Sequence, residues 1–154
     1  VIDTFRPLLE AARGLDLAQP GAAEALLNQR FPPHSPAALA LNEQLFELLA
    51  AGRIAERGAP PVRYGRVAKA SPATLEHSID VVLMTAPGPR HRHPQGEIDY
   101  CVARSGSPTF DGKPPGWLVL PPDSVHVPTV AGGEMLVVYL LPGGAIEFLD
   151  LPAR

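Results

Sequence analysis

Hydrophobic positions along this chain change their period once, near residue 58. Before that point apolar residues recur at three- and four-residue spacing; after it they come in short runs separated by turn residues. The first part predicts three helices. "DTFRPLLEAARG" offers Asp3 as an N-cap and Gly14 as a stop. "PGAAEALLNQRF" forms a second helix, ended by Pro32 and Pro33. In "SPAALALNEQLFELLAAG", Ser35 is the cap and Pro36 fits the first helical position. Leu41, Leu45, Leu48 and Leu49 then form a core-facing stripe that Gly52 ends.

Beyond the breaker "ERGAPP" the pattern becomes that of strands. "VRYGRVAK", "SIDVVLM", "EIDYCVA", "GWLVLPP", "HVPTV", "MLVVYLL" and "AIEFLDL" are short runs rich in β-branched or aromatic residues. Such runs predict a sandwich or barrel. The expected organisation is therefore a helical N-terminal segment at about 1–58 packed on a β-domain at about 59–154.

Composition narrows the picture. A chain of 154 residues, 45% of them apolar, can bury one core without staples. Its 19 prolines and 14 glycines punctuate mainly the β part, as many turns require. A net charge of -3 argues against nucleic acid as a partner, which would call for a basic face. The lone Cys101 excludes an internal disulfide and points to a reducing compartment. No apolar run has the length of a bilayer span, and "VIDTFRPLLEAARG" lacks the basic and apolar regions of a signal peptide. A cytoplasmic protein without a membrane partner is expected, and the opening on Val1 fits a trimmed chain.

The candidate chemistry is concentrated in "PGPRHRHPQGEIDY". Three prolines exclude a helix there. In a strand His91 and His93 share a face, with Arg92 opposite. Along a straight strand Glu97 would lie roughly 13 Å from His93, at about 3.3 Å per residue. Metal ligands bind at about 2.0–2.2 Å, so the two cooperate only if the chain turns. Pro94, Gln95 and Gly96 supply turn chemistry at that point. Two imidazoles and a carboxylate suit divalent iron, manganese, nickel or zinc. His126, after the turn at Pro121, Pro122 and Asp123, offers a third imidazole. The alternative for His91 and His93 is a solvated hairpin. His34 and His77 fall outside the pattern.

These residues resemble the cupin superfamily, whose motifs are G-x5-HxH-x3,4-E-x6-G and G-x5-PxG-x2-H-x3-N. "HRHPQGE" matches the centre of the first, with Gly106 near its closing glycine, while Gly88 stands too close to His91 for the leading one. "GWLVLPPDSVH" follows the second through Gly116, Pro121 and His126. Asp123 replaces its second glycine and Val130 its asparagine. The resemblance implies a jelly-roll β-barrel in which His91, His93, Glu97 and His126 face one metal. It also implies a homodimer. "HPQGEID", "FDGKPPGW", "PPDSVHVPTV" and "YLLPGGAIEF", after a helical segment ending in "RFP", are similar to the 4-hydroxylaminobenzoate lyase family. That likeness implies a metal-dependent lyase of nitroaromatic degradation, converting 4-hydroxylaminobenzoate to protocatechuate and ammonia.

Such a reaction needs a proton shuttle and a cation for the small aromatic substrate's carboxylate. Asp99 and Cys101 share strand parity with Glu97. Asp99 is the candidate acid/base beside Glu97, or a partner that orients a histidine. Cys101 reads as a small buried residue. Arg63, Arg66, Lys69, Arg90, Arg92 and Arg104 are candidate carboxylate partners. Tyr139 is a candidate to line the pocket, though a core aromatic would read the same, and Trp117 could stack on an aromatic ring, with core packing the safer reading. Two other functions share these ligands: an iron(II) cupin dioxygenase acting on a small aromatic, and a non-enzymatic cupin that binds a small ligand.

Overall fold

The computed structural model describes residues 1–149. Three helices come first: α1 (Ile2–Ala11), α2 (Pro20–Arg30) and α3 (Pro36–Ala50). Nine strands follow: β1 (Arg57–Ala59), β2 (Val62–Ala68), β3 (His77–Met84), β4 (His91–His93), β5 (Glu97–Phe110), β6 (Gly116–Leu120), β7 (Ser124–His126), β8 (Val130–Pro142) and β9 (Glu147–Phe148).

Local chemistry explains most boundaries. The Ser35 hydroxyl accepts a hydrogen bond from the Ala38 amide at 3.2 Å, and Pro36 opens α3 behind it. The expected cap at Asp3 is corrected. Helix α1 already starts at Ile2, capped by Val1, and Asp3 lies in its first turn. Phe5, Leu8 and Leu9 are fully buried, and that burial draws the preceding turn into the helix. "HVPTV" is not one strand either. β7 ends at His126 and β8 starts at Val130, because Pro128 cannot donate to a ladder. β1 lies inside the expected breaker, and the end of "AIEFLDL" falls outside the described residues.

The architecture is mainly β, with two antiparallel sheets that do not close into one hydrogen-bonded ring among the described residues. A six-stranded antiparallel sheet has the order β1-β2-β3-β8-β5-β6, and a three-stranded sheet the order β7-β4-β9. Each face of the large sheet carries its own core. Ile79, Val81, Ile98, Tyr100, Leu136 and Val138 point outward and pack under the three helices. Their neighbours Met84, Cys101, Met135, Val137 and Tyr139 point inward. Alternation along each strand divides the two sets.

Directional bonds fix the helical layer to the sheet. The Tyr100 hydroxyl donates to Asn42 Oδ1 at 2.8 Å, and the Trp117 indole donates to the Phe31 carbonyl at 2.9 Å. The Glu24 carboxylate of α2 accepts the Val119 amide of β6 at 2.9 Å. Each buried Leu of the helices adds about 1.5–3 kcal/mol by leaving water. Among the described residues no helix is long and apolar enough to cross a membrane.

Candidate metal centre

Three short-range features gather the four donors. β4 carries His91 and His93 on one face, and both are buried. β7 pairs with it so that His126 lies directly opposite His91. The Pro94–Gly96 turn then reverses the chain, closed by the Gly96 amide donating to the His93 carbonyl at 3.2 Å, and brings Glu97 back. Gly96 adopts φ +88, and Asp123, in the place of a motif glycine, adopts φ +66. Aspartate tolerates that left-handed conformation better than most residues, so the second turn survives the substitution.

One ligand atom from each of His91, His93, Glu97 and His126 lies within 4.8 Å of the others. Glu97 Oε2 is 2.8 Å from His93 Nε2 and 3.2 Å from His126 Nε2. His126 Nε2 lies 2.9 Å from His91 Nε2 and 3.1 Å from His93 Nε2. Cis ligands held about 2.1 Å from one ion stand about 3 Å apart, so this spacing fits a single metal. Neither Glu97 oxygen makes a well-formed hydrogen bond despite full burial, as expected of a donor aimed at a shared point. The group could hold a metal ion, and the His91 imidazole is set for it. His91 Nδ1 donates to the Pro89 carbonyl at 2.9 Å, which leaves Nε2 as the ligand atom.

Electrostatics agree with a cation site. Burial alone would push the Glu97 carboxyl up, but His126 and His93 outweigh it and hold its pKa at about 2. Burial likewise opposes protonation of His126, while Asp111 and Glu97 prevail and raise it to about 9. His91 goes the other way, to about 4, through burial and the charge of His93. The metal-free centre therefore carries a proton on His126, which a divalent ion would displace.

Behind the donors lies a second row of buried groups. Asp99 shares the inward face with Glu97 and is fully buried. Among the described residues both its oxygens lack a well-placed hydrogen-bond partner, yet Glu97 is near enough to act on it. Burial, then the Glu97 charge, raise its pKa well above the ordinary carboxyl value. Burial also pushes up Cys101 and Tyr139 on the same face.

A cavity of about 690 Å³ opens beside the donors and shares His91 with them. Val62, Val82, Met84, Leu141 and Phe148 give it apolar walls, and Tyr139 closes one side. Its cations are Arg57 and Arg66. Arg66 is gripped by Asp80 at 2.8 and 3.2 Å, whereas Arg57 meets no acidic partner among the described residues.

Several candidates go elsewhere. Trp117 lies on the outward face against Phe31 and Tyr100. Arg104 is bound to Glu134 at 2.6 Å on the exposed part of β5, away from the cavity. Arg92 points outward to Asp123 and Glu147. Arg63, Lys69, Arg90, His34 and His77 line neither the cavity nor the donor cluster. Two contributors escaped the sequence reading: Arg57, in a supposed breaker, and Asp111, whose carboxylate accepts from His126 Nδ1 at 2.6 Å. For Asp111 the available signal was the Asp-Gly turn in "FDGKPPGW".

A family model described as PnbB: 4-hydroxylaminobenzoate lyase matches residues 9–148. A 4-hydroxylaminobenzoate lyase from Nocardioides sp. (strain LMS-CY) is 30% identical over 97 residues, 58% of this chain and 57% of that protein. The match thus spans little more than half the length of that relative. Among solved structures, an RmlC-like cupin protein from Ralstonia eutropha JMP134 aligns with a TM-score of 0.45 at 20% identity, over 60% of this chain and 62% of that one. A salicylate 1,2-dioxygenase from Pseudaminobacter salicylatoxidans aligns with a TM-score of 0.41 at 16% identity, over 74% and 37%.

Proposed function

Because the chain belongs to the 4-hydroxylaminobenzoate lyase family, we propose that it converts 4-hydroxylaminobenzoate and water to protocatechuate and ammonia. The observation that carries this reading is a three-histidine, one-carboxylate cluster that shares His91 with an apolar cavity. The reaction is redox-neutral and balances without oxygen or a reductant. The N–O bond breaks and its oxygen leaves as water, one water adds at the neighbouring ring carbon, and a second hydrolyses the resulting imine, so that oxygen replaces nitrogen on its carbon and ammonia leaves; the net uptake is one water.

His91, His93, Glu97 and His126 would hold a divalent transition metal. Bound there, it supplies Lewis acidity, polarising an oxygen or lowering the pKa of a coordinated water. Four protein ligands leave an open position only on an ion that takes more than four, which favours iron, manganese or nickel over tetrahedral zinc. Asp99, buried behind Glu97 with its pKa raised, would deliver a proton to the departing oxygen. Val62, Val82, Met84 and Leu141 exclude water and take the ring. Arg57 is the cavity cation left for the substrate carboxylate, since Asp80 already occupies Arg66.

The test is anaerobic incubation of metal-replete protein with 4-hydroxylaminobenzoate, following both products. Equal amounts of protocatechuate and ammonia are expected. A requirement for oxygen would replace the lyase with a dioxygenase. Tight binding of the substrate with no product from a metal-loaded sample would leave a binding protein.

A further inference from the structure

Asp111 stands outside the donor cluster, on the turn between β5 and β6, and both of its oxygens are committed. Oδ2 accepts from His126 Nδ1 at 2.6 Å, and Oδ1 accepts from the Thr129 amide at 2.9 Å. The Asp111 amide donates to the Thr129 carbonyl at 2.8 Å, which clamps the turn to the segment that follows His126. The carboxylate is thus fixed by the backbone and cannot rotate away from the imidazole. A carboxylate without a proton can only accept, so the proton of neutral His126 stays on Nδ1 and the Nε2 lone pair faces His91, His93 and Glu97.

We propose that Asp111 is a positioning residue for the metal centre: it fixes the tautomer and the ring orientation of His126 and adds the second negative charge that balances a divalent ion beside Glu97. The inference rests on the metal-site reading, not on which substrate is turned over. The three histidines then differ. His91 is oriented by a neutral carbonyl, at Pro89, and His93 Nδ1 is buried without a partner among the described residues. Among the described residues only His126 is oriented by a charge, so loss of that charge should weaken the site more than loss of either other arrangement.

Asp111→Asn tests this with almost no change of shape. The amide oxygen can still accept from Thr129, which turns the amide NH2 toward His126 Nδ1. That donor drives the imidazole proton to Nε2, the tautomer that cannot bind metal. Affinity for Mn2+ or Co2+, read by competition with a chelator, should fall about 10- to 100-fold. Asp111→Glu should recover part of the loss. In a His126→Ala background the same Asp111→Asn change should cost little, because the group it orients is gone. Equal losses in the two backgrounds would show that Asp111 only supports the fold, and unaltered affinity in the single variant would overturn the proposal. If all proteins, wild type included, bind no metal, it is the metal-site reading that fails.

Discussion

Gly96→Ala should damage this protein by more than the usual cost of a glycine substitution, and a control in the same chain isolates the excess. Gly96 holds φ +88 in the turn between His93 and Glu97. A side chain in that region costs roughly 1–2 kcal/mol. A Cβ there would also stand 2.9 Å from the Leu120 carbonyl oxygen, 2.9 Å from Leu17 Cδ1 and 3.2 Å from Leu17 Cβ. The carbonyl belongs to β6, which is paired to β5 through Glu97↔Leu120, so it cannot withdraw without shifting the ladder. Overpacking of this kind adds about 1–3 kcal/mol. The total expected is about 2–5 kcal/mol. Gly112 has nearly the same conformation, φ +79, with nothing within 4 Å of its Cβ. Gly112→Ala should therefore show the conformational cost alone, about 1–2 kcal/mol. Urea unfolding of the two metal-free variants measures both. The Gly96 variant should also lose metal affinity, because its neighbour Glu97 moves. Equal destabilisation of the two would refute the close approach at the turn.

Three further outcomes are expected. His93→Ala should lose bound metal while its circular dichroism stays native; full metal content by elemental analysis would remove His93 from the ligand set. Asp99→Asn should lower kcat by about 10²- to 10⁴-fold if Asp99 is the acid, with metal content retained, and unchanged kcat would return it to a packing role. For His126 the folded pKa of about 9 lies above the ordinary 6.5, so its stabilisation of the metal-free protein is full below about 6.5 and lost as pH rises through about 9. The difference in unfolding free energy between wild type and His126→Ala should narrow over that interval, and a constant difference would contradict the ion-pair account.

Much of the site was legible because it is local. His91, His93 and Glu97 fall within seven consecutive residues, and the turn residues between them dictate how they meet. Strand parity carried Asp99 and Cys101 to the inward face with Glu97. It could not orient Trp117, because residues 97–102 of β5 and 116–119 of β6 are buried on both faces and show no polar alternation. Arg104 looked close to the site in sequence, but β5 runs on for 14 residues and takes it out to Glu134. Asp111 was hidden for another reason. Its partner lies 15 residues later, and the pairing of β5 with β8 at Phe110↔Val130, continued by the bonds between Asp111 and Thr129, brings that segment to it. The strand runs predicted a sandwich or barrel, and among the described residues the ladders form two antiparallel sheets.

The bond between Glu24 and Val119 bears on what the protein avoids. β6 ends the six-stranded sheet, and a terminal strand offers a row of unpaired amides to any other extended chain. Helix α2 lies along that border, and Glu24 takes up the Val119 amide that a foreign strand would seek. Its negative charge further repels the carbonyls such a strand would bring. The helical layer is thus a guard against runaway sheet growth as well as half of the core. Stripped of α2, this chain should be prone to add strands from its neighbours through β6 and to aggregate before it unfolds.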